Sequence, residues 1–263
     1  MMRFLLLPLF FLAACAFAQT SPLNDTGQTQ CFDADTDALD ECTVANTGNG
    51  STHPRQDGRF GRDAQAGAGA LTKTGSGAAG FDFTKICNSG EAAGSGACPA
   101  DPALGTGANE WACTRDNVTG LIWEVKLNDI NQLRHAGHNY TWYDGTTGDE
   151  GTDTCRGTLA AAPYANQCNI ENYKLAVNAV GLCGKTDWRV PTRRELLSIV
   201  HHGRSNPSID TTFFPNTQSD FYWSSDIFAP SPAGAWFVSF SNGNSNASSQ
   251  TFVSHVRLVR SGQ

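Results

Sequence analysis

The chain has 263 residues, of which 40% are hydrophobic and 16% charged, and its formal net charge is −7. That excess of acid argues against nucleic acid as a partner, because such binding rests on neutralising phosphates with Lys and Arg. It argues equally against adsorption to anionic lipid, while a polyanionic sugar stays open as a ligand, since a local basic patch is enough to hold one.

Residues 1–18 predict a signal peptide. Arg3 supplies the positive n-region, and residues 4–14 form an apolar run, shorter than the roughly 20 residues that span a bilayer. Two processing sites compete. Leu12-Ala13-Ala14-Cys15 resembles a lipobox with Cys15 as the lipidated residue, and Ala16-Phe17-Ala18 before Gln19 is an ordinary small-x-small site. The expected location is the bacterial cell envelope, either as a secreted protein or as an outer-membrane-anchored lipoprotein. No later stretch reads as a transmembrane segment.

Of nine cysteines, processing or lipidation at Cys15 leaves Cys31, Cys42, Cys87, Cys98, Cys113, Cys155, Cys168 and Cys183. An even set in an exported chain predicts disulfides. Short separation favours Cys31–Cys42, Cys87–Cys98 and Cys155–Cys168, which leaves Cys113–Cys183 as a long bridge. No C-x-x-C pair points to zinc.

Residues 19–110 are rich in Gly, Ala, Ser, Thr and Asp, and read as a loop-rich, poorly packed N-terminal arm stapled by disulfides. Asp33, Asp35 and Asp37 alternate as calcium ligands do. The Gly and Glu that an EF-hand places sixth and twelfth are Ala38 and Val44 here, so a solvated acidic turn is the plainer reading and calcium stays open. Phe81-Asp82-Phe83 alternates and predicts a strand added to the domain that follows.

All six tryptophans and all five tyrosines lie beyond residue 110, which places the main core in residues 111–263. Leu121, Trp123 and Val125 alternate as a strand. Residues 171–180 carry Tyr173, Ala176, Val177 and Val180 at helical spacing, closed by Gly181 as a left-handed cap. Thr192-Arg193-Arg194-Glu195 is a capping box opening a second helix with Leu196, Ile199 and Val200 as its stripe and Gly203 at its end. Strand-like runs follow at 221–225, 235–241 and 253–260, with Asn242-Gly243 as a hairpin signal. One strand, two helices and an antiparallel meander, without a βαβ repeat, make the fold class α+β.

Several stretches occur in the order of a known family. They are Asp116-Asn117-Val118-Thr119-Gly120-Leu121-Ile122-Trp123, Gly181-Leu182-Cys183-Gly184, Asp187-Trp188-Arg189-Val190-Pro191-Thr192 with Glu195-Leu196, Ser205-Asn206-Pro207, Phe214-Pro215-Asn216, Tyr222-Trp223-Ser224-Ser225 and Val256-Arg257-Leu258-Val259-Arg260. This series resembles the Lcl C-terminal domain family, named for a Legionella collagen-like adhesin and otherwise of largely unknown function. The resemblance implies a C-type-lectin-like fold, related to the formylglycine-generating sulfatase-modifying enzymes. It also implies extracellular binding and adhesion, with glycosaminoglycans among the ligands of the namesake. Fold alone does not decide function.

The enzymes of that fold use two cysteines late in the domain, and this chain has none after Cys183. No nucleophile elbow occurs, so neither catalytic residues nor a cofactor is expected. His135-x-x-His138 lacks an evident third metal ligand, and His201-His202 reads as the end of the second helix. Asp187, Trp188 and Arg189 read as structural, with Arg189 bonded to Glu195 or a carbonyl. The remaining candidates for a binding face are Asn242, Asn244 and Asn246, in an uncharged polar run, with Trp142 or Tyr143 to stack on a sugar. The expectation is a non-enzymatic adhesion module that recognises an extracellular polysaccharide or a surface protein weakly and in many copies. An enzyme on the same fold and a purely structural envelope protein are the rivals.

Overall fold

The computed structural model describes residues 24–33, 38–41, 58, 60–151 and 167–262. A hairpin of β1 (Gln30–Asp33) and β2 (Ala38–Glu41) stands first, followed by α1 (Gly61–Gly67). An antiparallel sheet in the order β3-β4-β5-β9 joins β3 (Phe83–Cys87), β4 (Trp111–Asp116), β5 (Leu121–Glu124) and β9 (Val259–Ser261). A second sheet, β6-β7-β8, is formed by β6 (Phe221–Ile227), β7 (Gly234–Ser239) and β8 (Ser245–Ser249). Helices α2 (Ile170–Val180) and α3 (Arg193–Leu197) lie between the two sheets in sequence. This is the expected α+β class, with few helices and antiparallel sheets.

The strands separate two cores. Ile122, Trp223, Ala235, Phe237, Val256 and Leu258 face one, with Tyr140, Trp142, Tyr173 and Trp188. Trp123, Tyr222, Val238, Phe240 and Val259 face the other, with Phe83, Leu196 and Phe214. Consecutive strand residues point to opposite faces, so β5 and β7 bury both of theirs. That is why Ala235 to Val238 is apolar without a solvent-facing alternation.

The start of α3 and the end of α2 obey their sequence signals. Thr192 accepts from the Glu195 N–H while Glu195 reaches back to the Thr192 N–H, and Gly181 ends α2 at φ 66°. Two details differ. Val180 is 68% exposed, off the buried stripe. Helix α3 ends at Leu197, because the His201 and His202 N–H groups bond to Ser208 and Thr26 rather than to carbonyls one turn back. His201 is therefore buried against the Phe81 ring, and burial lowers its pKa. The reading of His201-His202 as the end of this helix is corrected.

The expected meander is corrected too. Its third strand is β8, drawn from the polar run read as a loop, whereas 253–260 leaves the sheet. His255 bridges beside Tyr222 in parallel, and Val259 then pairs with Trp123 and bridges to Arg189. A strand at a sheet edge needs no apolar alternation, so β8 gave no signal.

The stretch before residue 111 packs better than its composition suggests. Phe81 and Phe83 are buried, and the added strand, β3, begins at Phe83 rather than Phe81 and runs on to Cys87, paired with β4. Buried carboxylates pin the loops. Asp82 accepts from the N–H groups of Thr74 and Gly75, Asp63 from Gly80 and Asp210 from Ala78. Cys87–Cys98 and Cys113–Cys183 are bonded as predicted. Cys31 and Cys168 are disulfide-bonded as well, but Cys42 and Cys155 lie outside the described residues, as do Asp35, Asp37 and Cys15. No helix among the described residues is long and apolar enough to cross a membrane.

Candidate ligand-binding face

The hairpin from β7 to β8 turns at Asn242-Gly243, with Gly243 at φ 79° as the turn requires. Asn242 uses its carbonyl oxygen on the Asn244 N–H, so it holds the turn. Asn244 and Asn246 are two residues apart and share a face. The register sets Phe237 directly opposite Asn246, and Ser239 donates to the Asn244 carbonyl. Directly opposed residues in an antiparallel pair project to the same side. Both asparagines are exposed. The Asn246 carbonyl oxygen accepts from Ala247 N–H, while its amide nitrogen and the whole Asn244 amide have no partner among the described residues.

The same face carries aromatic rings that the sequence did not single out. Phe221 lies 4.4 Å from Phe237 and 6.3 Å from Phe252, centroid to centroid. Phe252 is 44% exposed and Val253 51%. At one end this face closes over the core through Trp223 and Ala235; at the other it opens as an apolar step beside two free amides. The signal in the sequence was parity. Phe237 and Asn246 are matched only once the turn at Asn242-Gly243 fixes the register.

Trp142 is corrected as a stacking residue. It is fully buried, and its indole N–H donates to the Ser224 carbonyl at 2.8 Å. Tyr143 is half-buried and bonds to Glu150, so it joins the acidic side of another hairpin. The structure thus unites Asn244 and Asn246 with each other but with neither Trp142 nor Tyr143.

The densest group of titratable side chains is internal. Lys126 Nζ contacts Glu124 Oε1 at 2.9 Å and Tyr173 Oη at 2.8 Å, and Tyr173 also donates to Glu124. Leu258 N–H donates to the second Glu124 oxygen, and Arg257 donates to the Glu124 backbone carbonyl. Burial brings the Lys126 pKa down to about 8, opposed by the Glu124 charge. All four side chains are sealed from solvent, so this network ties β5 and α2 to the segment before β9 inside the core. The His135 and His138 rings meet edge to face, 4.9 Å between centroids. Burial and then the neighbouring His135 lower His138 to about 4. Among the described residues no three His, Cys, Asp or Glu side chains gather as metal ligands.

The motif residues read as structural take that part. The Trp188 indole N–H donates to the Leu182 carbonyl, Arg260 forks onto Asp187 at 2.7 and 3.2 Å, and Arg189 forks onto Glu195. The sequence profile of the Lcl C-terminal domain family matches residues 112–260, more than half of the chain. The chain belongs to the Lcl C-terminal domain family. The matched segment takes in β4 after its first residue, β5, α2, α3 and the whole β6-β7-β8 sheet. No curated protein and no solved structure matches the chain.

Proposed function

We propose that the chain is an exported, non-enzymatic adhesion module of C-type-lectin-like fold that binds an extracellular glycan on the open end of the β6-β7-β8 sheet. One observation carries the reading: Asn244 and Asn246 flank the Phe237–Phe221–Phe252 step on one face, with unused amide donors. An aromatic step offers an apolar surface to a sugar ring while short amides meet its hydroxyls, the mix of apolar wall and few polar groups found in ligand sites. The disulfides support an oxidising compartment, in line with the signal-like residues 1–18.

Such a face binds weakly. Single exposed hydrogen bonds contribute about 0.5–1.5 kcal/mol each, so useful adhesion comes from many copies. The test compares clustered wild-type protein with a Phe252→Ala, Asn244→Ala, Asn246→Ala variant for retention on extracted cell-surface polysaccharide, with circular dichroism as the folding control. Loss of retention in a folded variant is the expected result. Equal retention removes this face as the site.

A further inference from the structure

A second concave site lies on the other sheet and has the opposite chemistry. Arg115 on β4, Ile122 on β5 and Arg260 on β9 are direct cross-strand neighbours, so all three project from one face. Two strand spacings of about 4.8 Å set the arginine Cα atoms roughly 10 Å apart with Ile122 between them. Together with Ile86, Gly90, Cys183, Lys185 and Gly262 they line a cavity of about 210 Å³. Arg260 is held by Asp187. Arg115 is half-buried and has no hydrogen-bond or ion-pair partner among the described residues. Lys185 is exposed and forms no ion pair either. A cationic pocket in a chain of charge −7 is not the average of its surface.

The cavity is held open by rigid walls. Cys183 is bonded to Cys113, and its N–H donates to Asn88 Oδ1 at 3.0 Å. Gly90, at φ 93°, passes so close that a Cβ there would lie 2.8 Å from the Cys183 carbonyl oxygen. The volume lies below the roughly 300–1,000 Å³ of drug-sized sites, which suits one compact molecule. A guanidinium presents two parallel donors that match a planar carboxylate, while Ile86 and Ile122 offer an apolar floor to a short hydrocarbon body.

We propose that this cavity binds a small carboxylate with a short apolar tail, its carboxylate on Arg115 and Lys185 and its tail over Ile86 and Ile122. The site is separate from the glycan face and stands or falls without it.

Isothermal titration of the oxidised protein at low ionic strength, with sodium butyrate, sodium acetate and sodium sulfate in turn, tests it. Saturable binding of butyrate is expected, tighter than acetate, because only butyrate reaches the isoleucines. Arg115→Gln should weaken it by about tenfold or more, the value of a charge-assisted bond, and the exposed Lys185→Gln by about threefold. The Lys185 variant keeps the test sound if Arg115→Gln fails to fold. Saturable binding of sulfate alone would overturn the proposal, as would no saturation by any of the three anions or a butyrate affinity unchanged in both variants.

Discussion

Arg189 grips Glu195 with both guanidinium nitrogens, at 2.8 and 2.5 Å, and the same carboxylate accepts from the Thr192 N–H. One acidic side chain thus caps α3 and ties its first turn to the strand-like segment after Trp188. Surroundings of this kind hold Glu195 below the ordinary carboxylate range despite its partial burial. Glu195→Ala should cost about 2 kcal/mol, adding the loss of a cap to that of a half-exposed ion pair, and Arg189→Met about 1 kcal/mol. Urea unfolding of both single variants and the double variant checks this. A coupling energy of zero between the two positions would contradict the geometry.

Trp188→Ala should unfold the domain or leave it barely folded. The ring is 2% exposed and bonded to Leu182, and deleting a buried Trp costs about 3–5 kcal/mol of a typical stability of about 5–15 kcal/mol. The measurement is the melting temperature. An unchanged value would show that the ring is dispensable to packing.

Replacing Cys113 and Cys183 together by Ala should cost about 4 kcal/mol, the chain-entropy value for a bridge of sequence separation 70. The shorter bridge Cys87–Cys98, of separation 11, should cost less. Guanidinium unfolding of the two double variants ranks them, and the reverse order would refute the assignment of Cys113–Cys183 as the main clamp.

Stability should fall as pH drops from about 6.5 towards 4. His138, His201 and His255 all have pKa values lowered chiefly by burial. For a group whose folded pKa is lowered, the unfolded chain binds more protons within the window. The favourable contribution is therefore complete above the unfolded value near 6.5 and is lost on acidification through the folded value, about 4 for His138. Asp116 acts in the opposite sense, since burial raises its pKa, but it is one group against three. Urea midpoints at pH 7 and pH 4.5 measure the slope, and His138→Gln should flatten it. A midpoint independent of pH over this range would show that the histidines are hydrated.

Signals that act over a few residues were legible. The Thr192 box, the Gly181 cap, the Asn242-Gly243 turn and the Cys87–Cys98 loop are each written in local chemistry and occur as read. What the sequence hid depends on distant partners. Trp142 looked available because its neighbours are polar, yet the Ser224 carbonyl, 82 residues away, claims it. The buried aspartates of the early stretch bond to backbone N–H groups of loops whose composition alone suggests disorder. Of the proposed binding face, Asn244 and Asn246 were singled out together with Asn242, while the phenylalanines beside them were not, because 221, 237, 246 and 252 meet only through sheet register.

Strand β8 borders one neighbour only, and its residues are Ser245, Asn246, Ala247, Ser248 and Ser249. Its outer backbone groups are a ready template for another chain, the usual route from a sheet edge to fibrous growth. Dense display of the proposed adhesion module would hold many such edges side by side. With no β-branched or aromatic residue in the strand, the dry interdigitation that stabilises stacked sheets has nothing to build on. The hydrophilic border therefore insulates neighbouring copies, and if the proposed adhesion module is displayed densely it can crowd without zippering.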